Sequence, residues 1–180
     1  MDHRTHGHVL IELLNGFGRN DLKVAEIGVW KSHTLKRVLR KCGSIVGEYW
    51  AIDKWSLDTH WNYSNLTMEK WDELYFYACK MMYWFPQLHI LRMDTIKASN
   101  IFPKDYFDLV FIDADHKYES VISDIKYWEP LVKNNGLLTG HDYGGSKIGV
   151  KKAVDECFDK IDLLDASVWV KKGGVYSGMD

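Results

Sequence analysis

The sequence predicts an α/β domain with a doubly wound, mostly parallel sheet and helices on both faces. Two observations point there. Short apolar runs alternate with helical patterns along the chain, the order that produces parallel strands joined by right-handed crossovers. The runs are also continuously apolar rather than alternating, as expected of strands covered on both faces.

The elements follow in order. Leu10, Leu13, Leu14 and Phe17 share one face of a leading helix. "LKVAEIGV" (22–29) is the first strand, and Leu35, Val38 and Leu39 mark the helix after it. "YWAID" (49–53) is the second strand, "LHILRM" (88–93) the third and "FDLVFIDA" (107–114) the fourth. Tyr118, Val121, Ile122, Ile125 and Trp128 recur at three- and four-residue steps, with Asn135-Gly136 as the stop before the fifth strand, "GLLTG" (136–140). Asp115 stands where an N-cap of the Tyr118 helix would fall. Val150, Val154, Cys157 and Phe158 form another helix face. The tail "ASVWVKKGGVY" (166–176) reads as a last strand, paired with a short one near 161–164.

Residues 54–86 break this rhythm. "LTMEKWDELYFYACKMMYW" carries Met68, Trp71, Tyr75, Ala78 and Met82 on one stripe, capped by Thr67 with Glu69 in the first turn. A core-packing crossover helix accounts for the stripe. The surplus rings, with Trp55, Trp61 and Tyr63, allow a substrate wall or a subunit contact instead.

The 180 residues suit a single domain, 1–180, with this aromatic-rich helical insertion at about 54–86. A net charge of −2 gives no electrostatic reason to expect nucleic acid or an anionic membrane. No apolar run reaches the roughly 20 residues of a membrane span, and the N-terminal stretch lacks the long uncharged core of a signal peptide. Three widely spaced cysteines favour reduced thiols and a cytoplasmic setting. Exposed rings make a homodimer an option. His3, His6 and His8 in "HRTHGH" tempt a metal reading, but a terminal segment without a scaffold is expected to stay outside any site.

In an open parallel sheet, ligands bind beyond the carboxyl ends of the strands. Each predicted strand delivers an acid there: Glu26, Asp53, Asp94, Asp113 with Asp115, and Asp142. Acids at five strand ends in register favour a shared site over scattered solvated side chains. The first turn, "EIGVWKSHT", has one glycine, with Trp30 and Ser32 where a phosphate-binding turn needs more. Glu26 would also repel phosphate. A ligand with ribose hydroxyls and ammonium or sulfonium charge suits this rim, and a nicotinamide-dependent oxidoreductase does not.

With these residues the chain resembles class I S-adenosylmethionine-dependent methyltransferases. It is similar to a small group within them whose chains carry "EIGV", "AID.W", "IDADH.YESV..DI..W.PL" and "GHDY…GVKKAVDE.F", here at 26–29, 51–55, 112–131 and 140–158. The resemblance implies a Rossmann-like fold of seven strands and S-adenosylmethionine as cofactor. It places Glu26 and Gly28 against the methionine part, Asp53 on the ribose and Asp94 near the adenine, with Trp30 and Asp113 completing the cofactor set. Trp30 and Ser32 depart from the small residues usual in the first loop.

Similarity to metal-dependent O-methyltransferases implies Asp113, His141 and Asp142 as ligands of Mg²⁺ or another divalent ion. His116, three residues after Asp113, would be the base. His141 departs from the usual acid and suits Mn²⁺, Fe²⁺ or Zn²⁺ better than Mg²⁺. Without metal, His116 or His141 would act alone, oriented by Asp142. The implied activity is O-methylation of a small hydroxylated substrate, a sugar or an aromatic. A domain that binds the cofactor or a nucleoside without transfer is the alternative.

Overall fold

The computed structural model describes residues 5–57 and 66–171. Seven strands form one sheet in the order β3-β2-β1-β4-β5-β7-β6. In chain order they are β1 (Leu22–Ile27), β2 (Val46–Asp53), β3 (Leu88–Arg92), β4 (Phe107–Ile112), β5 (Val132–Gly140), β6 (Ile161–Leu164) and β7 (Val168–Lys171). The first five pair in parallel, and β7 runs antiparallel to both β5 and β6. The order reverses between β1 and β4, the switch point at which a doubly wound sheet opens a crevice.

Helices cover both faces. α1 (His6–Gly16), α2 (His33–Cys42) and α3 (Met68–Met81) pack Leu10, Leu13, Leu35, Val38, Trp71 and Ala78 against one side. α4 (Thr95–Ser99), α5 (Tyr118–Trp128) and α6 (Ile148–Cys157) pack Ala98, Val121, Ile125, Val150 and Val154 against the other. All six residues of β4 are buried, as its apolar run requires. Cys42, Cys79 and Cys157 are free thiols. No helix among the described residues is long and apolar enough to cross a membrane.

Several boundaries differ from the sequence reading. Helix α5 stops at Trp128, because Pro130 opens a 3-10 turn at Glu129–Leu131. Asn135-Gly136 is therefore no helix stop. It lies inside β5, where Phe107 pairs with Val132 but Leu109 pairs with Leu137, a bulge that leaves Asn134 and Asn135 exposed. On α3 the buried stripe is Trp71, Ala78 and Met81, while Met68 and Met82 face solvent. Thr67 does cap α3, its side chain accepting from the Lys70 N–H. Short α4 had no periodic apolar signal, being five residues long. The N-cap of α5 is Lys117, not Asp115. Asp115 instead closes the preceding turn, accepting from the N–H groups of His116 and Lys117 and from the Ser120 hydroxyl. Trp61, Tyr63, His3 and residues 172–176 lie outside the described residues.

Candidate active site

The parallel register sets the site. Ile27 is level with Ile52 on one side and Ile112 on the other, and Ile112 is level with Gly140. One residue further on, the ladder continues as single hydrogen bonds. Gly28 N–H donates to Ile52 O, Asp113 N–H to Ile27 O, and His141 N–H to Ile112 O, at 2.7–3.0 Å. Gly28, Asp53, Asp113 and His141 thus leave the sheet on one rim. Glu26, Asp53, Asp94, Asp113, Asp115 and Asp142 all line one cleft there, of about 780 Å³.

Close approach of the first turn to the β4 end demands glycine. A Cβ on Gly28 would lie 2.4 Å from Asp113 O, and Gly28 has φ +89°. The next residues pay for the missing glycines in strain: Trp30 and Ser32 sit in left-handed conformations at φ 45° and 61°. Ser32 N–H donates to Val29 O, and Asp53 holds Trp30 there. Its Oδ2 accepts from the N–H groups of Val29 and Trp30, both at 2.8 Å, and its Oδ1 from Trp55 N–H at 2.7 Å. Trp55, in left-handed backbone too, is fully buried and donates its indole N–H to Trp30 O. Trp55 is therefore a core support of the loop rather than a substrate wall. Of the insertion's described rings, Trp71 reaches the cleft. Phe76, Tyr77, Tyr83 and Trp84 are exposed.

Glu26 is buried, and the Tyr49 hydroxyl donates to its Oε2 at 2.7 Å. Burial pushes its pKa well up; the Tyr49 hydrogen bond opposes this, and the charges of Asp113 and Asp53 add to it. Asp94 caps α4, accepting from the N–H groups of Ile96 and Lys97, and pairs with Lys54 at 3.0 Å. Behind it Thr95 donates to buried Asp124 at 2.6 Å. Asp124 is raised to about 7, first by burial and then by the charges of Asp94 and Asp115, against the Thr95 bond.

At the other end three histidines and two acids share a corner. Asp142, in left-handed backbone, approaches His116 Nε2 with Oδ2 at 2.6 Å. Both ring nitrogens of His116 are shielded from solvent. Burial works to raise the Asp142 pKa, but the hydrogen bond from His116 and the neighbouring His141 bring it below the usual range. His141 Nδ1 lies 3.4 Å from Asp113 Oδ1 and 3.5 Å from Asp142 Oδ1. Burial disfavours its charge, yet the two carboxylates, Asp113 foremost, outweigh this and raise its pKa.

The third histidine is His6, and its place corrects the sequence reading. Residues 6–8 are not a loose terminus but the first turn of α1, which packs on α2. The His6 ring stacks on Phe111 and lies 4.3 Å, centre to centre, from His141. Its Nε2 is 2.6 Å from Thr34 Oγ1 and 4.0 Å from Asp113 Oδ2. Burial is the main cause of its lowered pKa. His8 stays out of the cleft: its Nδ1 accepts from Thr5 N–H, and its Nε2 meets Arg37. Sequence reasoning missed His6, Thr34, Lys54, Thr95 and Asp124 as cleft residues. Only the i, i+4 step from His6 to Leu10 hinted that His6 starts a fixed helix.

The sheet order with its antiparallel β7, and the acid-rimmed cleft without a phosphate turn, define the class: class I S-adenosylmethionine-dependent methyltransferases. A family model described as a methyltransferase domain matches residues 25–143, well over half of the chain, and the chain belongs to that family. Among curated proteins it is similar to uncharacterized protein R132 of Acanthamoeba polyphaga mimivirus, 26% identical over 148 residues. That match covers 77% of this chain, which spans 59% of the relative's length. Among solved structures it is similar to the O-methyltransferase NovP, with TM-score 0.66 and 17% identity, covering 94% of this chain and 78% of NovP. It is also similar to CalS11, a TDP-rhamnose 3'-O-methyltransferase, with TM-score 0.62 and 14% identity, covering 94% and 82%. At these identities the structural likeness speaks to the fold alone.

Proposed function

We propose that the protein methylates a hydroxyl group of a small molecule, a sugar or an aromatic, using S-adenosylmethionine. The observation that carries this reading is the cleft, where acids from five strand ends meet a histidine–carboxylate pair at 2.6 Å. The cofactor fits it. Gly28 keeps the floor free of a side chain, buried Glu26 and half-buried Asp113 offer negative charge to an ammonium and a sulfonium, and the volume lies within the range of small-molecule sites. Asp53 would meet the ribose and Asp94 the adenine end. Trp30 lines the same cavity. When bound, the cofactor supplies an electrophilic methyl group on sulfur.

The chain's residues then position the acceptor and take its proton. The acceptor hydroxyl would enter the corner of His6, Asp113, His141 and Asp142. Asp142 and His116 both line the cleft, and the His116 N–H holds the Asp142 carboxylate in place. As the oxygen attacks the methyl carbon and the carbon–sulfur bond breaks, the hydroxyl proton passes to the Asp142 carboxylate, which the His116 N–H orients. S-adenosylhomocysteine leaves. This differs from His116 as a direct base: its ring nitrogens are shielded from solvent, and one of them is held against Asp142. Without a bound ion, His141, raised in pKa between two carboxylates, supplies positive charge beside the developing oxyanion. NovP and CalS11, which share the fold, are O-methyltransferases, and the net charge of −2 argues against nucleic acid.

Titration with S-adenosylhomocysteine and a transfer assay on a panel of sugars and phenols test the reading. His116→Ala is expected to lower kcat by about 100-fold or more while cofactor affinity stays within about threefold. Equal loss of both would remove His116 from the chemistry. Cofactor binding without turnover on the whole panel would favour a non-catalytic nucleoside-binding domain.

A further inference from the structure

The acceptor corner holds more donor atoms than the proton transfer uses. Among the described residues, two groups of three have donor atoms within 4.8 Å of one another: His6, Asp113 and His141, and Asp113, His116 and Asp142. They are not equivalent. In the second, the 2.6 Å contact between His116 and Asp142 already commits both partners to each other. In the first, both contacts to Asp113 are longer. His141 Nδ1 is 3.4 Å and His6 Nε2 is 4.0 Å from the two oxygens of the same Asp113 carboxylate. An ion with bonds of about 2.1 Å separates its donors by about 3–4.2 Å, so these spacings need little adjustment.

We infer that His6, Asp113 and His141 form a binding site for a borderline divalent ion of the Mn²⁺, Fe²⁺, Co²⁺ or Zn²⁺ type, with His6 in place of the expected Asp142. The reasoning is chemical. Two imidazoles and one carboxylate on one side of an ion leave its other positions open, as in two-histidine-one-carboxylate centres. Two nitrogen donors discriminate against Mg²⁺, which takes oxygen ligands. The three ligands come from separate elements: α1, the β4 end and the β5 end. Packing of the His6 ring on Phe111 and its contact with Thr34 hold it in the corner without an ion. Thr34 would rotate its hydroxyl away when Nε2 binds. All three residues line the cleft that would receive the acceptor hydroxyl, so the ion would act as a Lewis acid there while Asp142 takes the proton. This role rests on the methyl-transfer reading, but the ion site itself does not.

Cobalt binding tests the site without cofactor or acceptor. The full chain, free of any histidine tag, is titrated with Co²⁺ by visible absorption and by calorimetry. One ion per chain is expected, with a ligand-field band, and millimolar Mg²⁺ should not displace it. His6→Ala and His6→Gln should each weaken Co²⁺ by at least tenfold, with unchanged circular dichroism. Asp142→Asn should change it by no more than about threefold. Wild-type affinity in both folded His6 variants, or displacement by Mg²⁺, would overturn the assignment. So would an equal loss in Asp142→Asn, which would return the ion to Asp113, His141 and Asp142. A failure here leaves transfer through Asp142 and His116 intact, whereas a failed transfer assay leaves the cobalt result standing.

Discussion

Asp53 shows how one side chain serves two ends. Its carboxylate takes three backbone N–H groups from two left-handed loops, and it still lines the cleft where a ribose would lie. Hydrogen bonds to a charged group each contribute about 1.5–3 kcal/mol. Asp53→Ala should therefore weaken S-adenosylhomocysteine by about 30-fold or more and also lower the melting temperature. Unchanged affinity by calorimetry would remove Asp53 from the cofactor site. Glu26 makes a second residue-scale prediction, through its proton. Burial raises its pKa, so the empty site favours the neutral acid, whereas a bound ammonium favours the carboxylate. Binding then expels a proton, and affinity should rise with pH until Glu26 is ionised in the free protein. Calorimetry in buffers of different ionisation heat measures that release. Glu26→Gln should abolish it; a persisting release would place the proton elsewhere.

At the scale of the element, α5 carries a conflict between packing and charge. Asp124 lies on its buried face beside Thr95 at the start of α4. Its pKa of about 7 in the fold exceeds the ordinary 3.8. The native state therefore holds a proton that the unfolded chain has released, and the stability contribution of this group, complete below about pH 4, falls as pH rises toward 7. The full loss is at most about 4 kcal/mol. Asp124→Asn keeps an acceptor for Thr95 and removes the charge. It should flatten stability between pH 4 and 7 and stabilise the protein at pH 8, as read by denaturant melts at each pH. A pH slope equal to wild type would show that Asp124 is not the group responsible.

Over the whole molecule, the two rims of the sheet divide the work. The carboxyl rim gathers acids around a cleft. The opposite rim ties strands together: fully buried Asp108, on β4, contacts Arg19 and accepts from Lys133 Nζ at 2.9 Å and Lys23 N–H at 2.8 Å. Asp108→Ala should cost about 2–3 kcal/mol, less than a fully buried pair, because Arg19 and Lys133 can return to water. It should leave cofactor affinity unchanged. A loss of affinity at constant stability would contradict the division.

The strand runs and the acids at their ends were legible in the sequence, because a parallel strand buried on both faces must be apolar along its length and its polar residues collect where it leaves the sheet. That constraint is local, so one chain suffices to read it. Only the tertiary structure brought His6 to the cleft, set His116 against Asp142, and turned the Trp55 ring inward under the first loop. It also separated the buried from the exposed rings of α3. Those outcomes depend on which surfaces meet after the chain has folded, and contacts between residues 28 to 135 positions apart, such as His6 with Thr34 and with His141, leave no periodic trace along the chain.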